Sequence, residues 1–149
     1  MSKPEFVYVI YIHAAPTTIW QALIDPEMTK EFWGRHRNKS DWKVGSAWSH
    51  QNYDDAADVA VEGKVIESDP PRRLVLTWAR PNDAHVSRVT FEIDEFMGSS
   101  RLTVTHADLT PEALRGISAG WPAILSSLKS LLETGASLPM TRQQWKKAG

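Results

Sequence analysis

The sequence predicts an α+β fold in which an antiparallel meander of strands, entered through one strand and two short helices, is covered by a long C-terminal helix. Three observations predict it. The apolar run Phe6 to Ile12 leads directly into Ala15-Pro16-Thr17-Thr18-Ile19-Trp20 and breaks again at Asp25-Pro26. Trp42 to His106 alternates in hydrophobicity and turns at short intervals, and Leu114 to Leu132 repeats apolar residues at three- and four-residue steps.

Phe6 to Ile12 is rich in Val, Ile, Tyr and Phe and too short for an ordinary buried helix, so it favours a strand. Pro16 suits a helix start, where its missing N–H is not needed. Ile19, Trp20, Leu23 and Ile24 then form one apolar stripe. Pro26 disfavours helical backbone at Asp25 and ends that helix. A second short helix carries Met28 and Phe32-Trp33 toward the surface the first one covers.

The middle of the chain reads as strands. Trp42 to Tyr53 is one, disturbed by Gly45, and Asp54-Asp55 with Asp58 marks a polar turn. Val59, Val61 and Val65 share a face of the next, which Asp69-Pro70-Pro71 closes. Leu74, Leu76 and Trp78 form another face before Pro81-Asn82-Asp83; Val89, Phe91 and Ile93 another before Gly98; Leu102, Val104 and His106 the last. The connections are too short for helical crossovers, so the pairing is antiparallel.

Thr110 caps the final helix, Pro111 takes its first position and Glu112 favours its positive end. Gly120-Trp121-Pro122 predicts a kink or a fresh start there, and Gly135 a stop near Thr134. This gives one domain over 1–135 and a tail over 136–149, where Arg142, Lys146 and Lys147 surround Trp145 in a solvated or loosely docked segment.

The 149 residues suffice for one core without covalent staples. With no cysteine there is neither a disulfide framework nor a thiol nucleophile, which agrees with a cytoplasmic protein. A formal net charge of −1 with scattered signs argues against nucleic acid as a partner, and the N-terminal apolar run is too short for a membrane span.

In this order the pieces resemble the activator of heat-shock-protein-90 ATPase homologue (AHSA-type) family. That family belongs to the SRPBCC superfamily, with START domains and polyketide cyclases. The residues carrying the resemblance are Pro16, Trp20, Asp25-Pro26-Glu27, Trp33, Pro71 to Val75 with Thr77-Trp78, Val89 to Glu92, Arg101 to His106, and Gly120-Trp121 with Leu125 and Leu128. The resemblance implies a helix-grip fold, a curved antiparallel sheet wrapped around the C-terminal helix with a cavity between them. No segment matches the extra amino-terminal domain of the eukaryotic co-chaperone, so chaperone activity does not carry over with the fold.

His106 keeps phase with Leu102 and Val104 and so faces the long helix, where it suits a general acid or base that Asp108 can orient. The plainer alternative is a core histidine satisfied by a backbone carbonyl. His50 shares a face with Trp48 and Asn52, either as a polar patch in the cavity or as half-exposed strand surface. His36 falls in a polar loop, His13 ends the first strand and His85 opens another. No two histidines have the i, i+4 spacing of a helical zinc site, so no metal and no cofactor are expected.

Trp48, Trp78, Phe91 and Trp121 are the candidate ligand surface, because large rings with one polar N–H orient an apolar or aromatic guest. Arg80 follows Trp78 on the same face, either to pair with a ligand carboxylate or phosphate or, as a strand-end residue, to be solvated. The expected function is binding of a hydrophobic or amphipathic small molecule between sheet and helix. The alternatives are a cyclase- or hydratase-type enzyme using His106, and a chaperone-associated adaptor. Monomer and homodimer both fit.

Overall fold

The computed structural model describes residues 4–145. The chain forms β1 (Phe6–Ile12), α1 (Pro16–Ile24), α2 (Pro26–Phe32), β2 (His36–Ser40), β3 (Ala47–Asn52), β4 (Asp55–Asp69), β5 (Arg73–Trp78), β6 (Ser87–Phe96), β7 (Ser99–Ala107), α3 (Pro111–Thr134) and α4 (Pro139–Arg142). All seven strands lie in one antiparallel sheet of order β1-β7-β6-β5-β4-β3-β2. This is the expected α+β helix-grip architecture: a curved sheet, two short helices after β1 and a long helix at the C-terminal end. No helix among the described residues is long and apolar enough to cross a membrane.

Period-two alternation sets the inner face. Along β6 and β7, Val89, Phe91, Ile93, Leu102, Val104 and His106 are buried while their neighbours are not. Trp121, Ile124, Leu125 and Leu128 of α3 pack into the same core, with Ile19, Trp20 and Leu23 of α1. Asp25 separates α1 from α2 and caps the second helix, its Oδ1 accepting from the Glu27 N–H at 2.9 Å.

The structure corrects four local expectations. Residues 36–40, expected as a polar loop, are the edge strand β2, paired through His36↔Asn52 to Ser40↔Trp48. Its inward residues are His36 and Asn38, both buried, so the strand alternates without an apolar residue to reveal it. The strand expected from Trp42 starts only at Ala47, because Trp42 (φ 59°) and Gly45 (φ 89°) sit in left-handed turn backbone. Of the kink or fresh start expected at Gly120-Trp121-Pro122, the fresh start does not occur: one helix runs through Pro122 from Pro111 to Thr134. Its ends form as anticipated: Thr110 Oγ1 accepts from the Ala113 N–H, and Gly135 adopts φ 88° while donating to the Leu131 carbonyl.

The fourth correction concerns the segment after Ala136, which is docked as far as Trp145; Lys146 and Lys147 lie outside the described residues. Thr141, with no exposed surface, shares a hydrogen bond with Ser127 of α3 and donates to the Glu31 carbonyl at the end of α2. The Trp145 N–H donates to the Gly34 carbonyl, and Gln144 Nε2 reaches Asn52 Oδ1 at 2.6 Å. The segment therefore acts as a strap across the α2–β2 junction.

β4 is long because it serves two neighbours in succession, pairing with β3 over its first half and with β5 over its second, with irregular register between. Gly63 sits at the changeover. A Cβ there would lie 2.1 Å from the Thr77 carbonyl oxygen, so only glycine admits this approach. That same oxygen accepts from Trp48 Nε1 at 2.7 Å.

Candidate functional site

Three tryptophans from three elements meet between the sheet and α3. Trp33 follows α2, Trp78 ends β5 and Trp121 lies midway along α3. Ring centroids are 6.5 Å apart for Trp33 and Trp78, 5.4 Å for Trp33 and Trp121, and 5.7 Å for Trp78 and Trp121. Phe91 meets Trp121 edge-on at 5.8 Å, and Trp48 leans on Trp78 at 5.6 Å. Trp33 and Trp121 are buried, whereas Trp78 is only half-buried. The aromatic cluster thus has two buried rings and one that borders solvent.

His106 lies against Trp78 and Trp121 and is fully enclosed. An indole nitrogen only donates, so the 3.2 Å contact from Trp121 Nε1 makes His106 Nδ1 an acceptor. The proton is then on Nε2, which donates to Ser87 Oγ at 2.8 Å, and the Ser87 hydroxyl donates in turn to the Trp78 carbonyl at 3.2 Å. Burial pushes the imidazole down to about 4, so the ring is neutral near pH 7. Both nitrogens are engaged by side chains and not by the backbone carbonyl the sequence suggested. Asp108 does not orient this ring: it is exposed, and its carbonyl accepts instead from His85 Nε2 at 2.7 Å.

His50 forms the second polar element, 4.9 Å from Trp33 and 6.5 Å from Trp78. Asn38 fixes its tautomer. Asn38 Nδ2 donates to the Leu23 carbonyl at 3.1 Å, which turns Oδ1 toward His50, and His50 Nδ1 must donate to it at 2.7 Å. Burial first, then the neighbouring His36, holds the His50 imidazole well below its usual range. His36 stacks on His50 with centroids 4.8 Å apart and donates Nδ1–H to the Gly34 carbonyl at 2.7 Å.

Of the residues singled out in the sequence, Trp48, His50, Trp78, Phe91, His106 and Trp121 come together here. Arg80 does not: it lies beyond the end of β5, is exposed and makes no side-chain hydrogen bond or ion pair among the described residues. Asn52 also leaves the group, since it bonds Gln144 and Asp58. Trp33, His36, Asn38 and Ser87 belong to the site without having been singled out for it. The alternation His36-x-Asn38 opposite Trp48-x-His50 was the available signal.

Two surface clefts are also present, the second bordered by Trp48. One of about 380 Å³ is lined by His13, Pro16, Glu95 and Ser99. The other, about 460 Å³, is lined by Lys39, Trp48, Glu62, Lys64, Thr77 and Val86. Neither is lined by Trp33, Trp78 or Trp121. Among the described residues no three His, Asp or Glu side chains converge as a metal site requires.

Residues 13–133 match the family described as Activator of Hsp90 ATPase homolog 1-like protein. The chain belongs to that family. No curated protein matches the sequence. Among solved structures, this AHSA1-type chain is similar to CalU16 from Micromonospora echinospora, with 20% identity and a TM-score of 0.76 over 92% of this chain and 70% of that one. The Aha1 dimer from Colwellia psychrerythraea gives 21% identity and a TM-score of 0.75 over 89% and 98%. PFC0360w, an HSP90 activator from Plasmodium falciparum, gives 19% and 0.73 over 86% and 95%. At these identities the likeness establishes the shared helix-grip fold.

Proposed function

We propose that this AHSA1-type protein, through one helix-grip domain over residues 1–135, binds a small hydrophobic or amphipathic molecule between the sheet and α3, in the cytoplasm. The supporting observation is the convergence of Trp33, Trp78 and Trp121 from three separate elements, with the neutral His50 and His106 beside them. Such rings present apolar faces with single polar points, the composition of a small-molecule site. A planar guest between Trp33 and Trp78 needs their faces about 7 Å apart, twice a carbon contact distance. Their 6.5 Å centroid separation means that the walls part on entry. Trp78 is the more exposed of the two walls, at the end of β5 before the turn at Pro81-Asn82.

In the enzyme alternative, His106 would have to give up its bond to Trp121 or to Ser87 before exchanging a proton with a guest, which favours the binding reading. The adaptor alternative has a specific support of its own. Val7, Val9 and Tyr11 of β1, with Phe96 of β6, leave an apolar patch exposed on the outer face. Two similar structures are described as an Aha1 dimer and an HSP90 activator, which makes a second copy or a chaperone the partners to test there.

Native mass spectrometry of the protein taken gently from its own cells tests the ligand reading. A co-purifying small molecule, released when Trp78→Ala is introduced, is the expected result. Bare protein from cells, together with unchanged tryptophan emission on titration with apolar and aromatic probes, counts against it. For the adaptor, the informative measurement is calorimetric titration of the isolated chain with an Hsp90 protein.

A further inference from the structure

From the lone pair left on His50, we infer that the guest is an uncharged molecule carrying a hydroxyl group, an alcohol or phenol whose O–H is donated to His50 Nε2. This rests on the ligand reading above and narrows it, since it excludes carboxylate amphiphiles such as fatty acids.

The argument starts from Asn38. Its amide is held by the Leu23 carbonyl, so it offers His50 an oxygen and commits the His50 proton to Nδ1. Nε2 is left with a lone pair and takes no partner among the described residues. Ser137 Oγ is the one fully enclosed side-chain polar atom without a partner among those residues; His50, 6% exposed, therefore keeps a sliver of accessible surface at Nε2. An acceptor of this kind in an apolar box selects for a donor, because a guest without one leaves the nitrogen dehydrated and unpaired.

The donors in the box complete the selection. Neither Trp33 Nε1 nor Trp78 Nε1 takes an acceptor among the described residues, and both rings lie beside His50. A hydroxyl can donate to the imidazole and accept from an indole at once. An ether can only accept. A carboxylate also only accepts, and it would carry a charge into a box in which neither His50 nor His106 is protonated near pH 7. His36, stacked on His50, fixes that ring's plane while its own Nδ1–H is committed to the Gly34 carbonyl.

Three probes of one ring shape test this on the full chain near neutral pH: 2-naphthol, 2-methoxynaphthalene and 2-naphthoate. Calorimetry is expected to show 2-naphthol binding roughly tenfold tighter than the methoxy compound, the worth of one hydrogen bond, with naphthoate weakest. The ¹⁵N resonance of His50 Nε2 is expected to move with 2-naphthol alone, a readout that needs no substitution. His50→Phe should erase the preference for 2-naphthol. Equal binding of naphthol and methoxynaphthalene with an unmoved His50 resonance overturns the hydroxyl assignment and leaves the ligand reading standing, as does tighter binding of naphthoate. No binding of any of the three removes both.

Discussion

Trp121 and His106 are joined by a hydrogen bond of 3.2 Å from the indole N–H to Nδ1, and this bond fixes α3 against β7 at a defined register. Trp121→Phe keeps an aromatic ring but removes the donor and the pyrrole half of the indole, leaving a buried nitrogen unpaired and a gap beside it. An unsatisfied buried acceptor costs about 1–3 kcal/mol. A drop of that size in urea-derived stability is expected, and an unchanged midpoint would show that His106 finds another donor.

Stability is expected to fall as pH drops from about 6.5 toward 4. His106 is neutral when folded and titrates at about 4, whereas in the unfolded chain it takes a proton near the ordinary 6.5 of a free histidine. Between those values the unfolded state binds more protons, so acidification favours unfolding. The full difference is worth about 3 kcal/mol, and His50, also held low by burial, adds in the same direction. Glu27, Asp54 and Glu133 are held below their usual values too, but they are exposed and contribute little. Urea titrations at a series of pH values decide it; a flat midpoint between pH 7 and 5 would contradict the neutral, enclosed His106.

Gly63→Ala is expected to be among the most damaging single-methyl changes in the chain. The added carbon meets the Thr77 backbone oxygen at 2.1 Å, where β4 passes β5 and Trp48 also bonds. Backbone cannot step aside as a flexible side chain does, so the loss is on the order of 3 kcal/mol or more. Gly116→Ala is the matched control. It lies in α3 with open space around its Cβ and should gain about 0.5–1 kcal/mol from helix propensity. Thermal unfolding of the pair separates close approach from glycine content.

How much of this was legible in the sequence depended on whether burial was apolar. β6, β7 and α3 announced themselves because Val89, Phe91, Leu102, Val104, Trp121 and Leu125 repeat with the period of their elements. β2 did not, since its inward residues are His36 and Asn38 and only their hydrogen bonds, to Gly34 and Leu23, make burial tolerable. The rings of the candidate site were readable by type and phase. Their partners were not, because Ser87 and Asn38 acquire meaning only when β6 meets β7 and α1 meets β2. Arg80 lies apart from these rings for a related reason: phase continues along a strand only while the strand does, and β5 ends at Trp78.

The strap depends on Gly34. It sits at φ 63°, and a Cβ there would meet Trp145 Cγ at 2.6 Å, so Gly34→Ala combines backbone strain with a side-chain clash. The strain alone costs on the order of 1 kcal/mol. The clash can be relieved if the strap lets go, because Trp145 is held here by its N–H on the Gly34 carbonyl and its indole N–H on the Met140 carbonyl at 2.8 Å. We expect Gly34→Ala to free residues 143–145 for proteolysis and red-shift part of the tryptophan emission, with Thr141 still anchored to Ser127 and Glu31. A double-mutant cycle with Trp145→Ala isolates the clash: the Gly34→Ala penalty should shrink to its backbone part once the ring is gone. An identical penalty in both backgrounds would mean that Trp145 does not rest on Gly34 in solution.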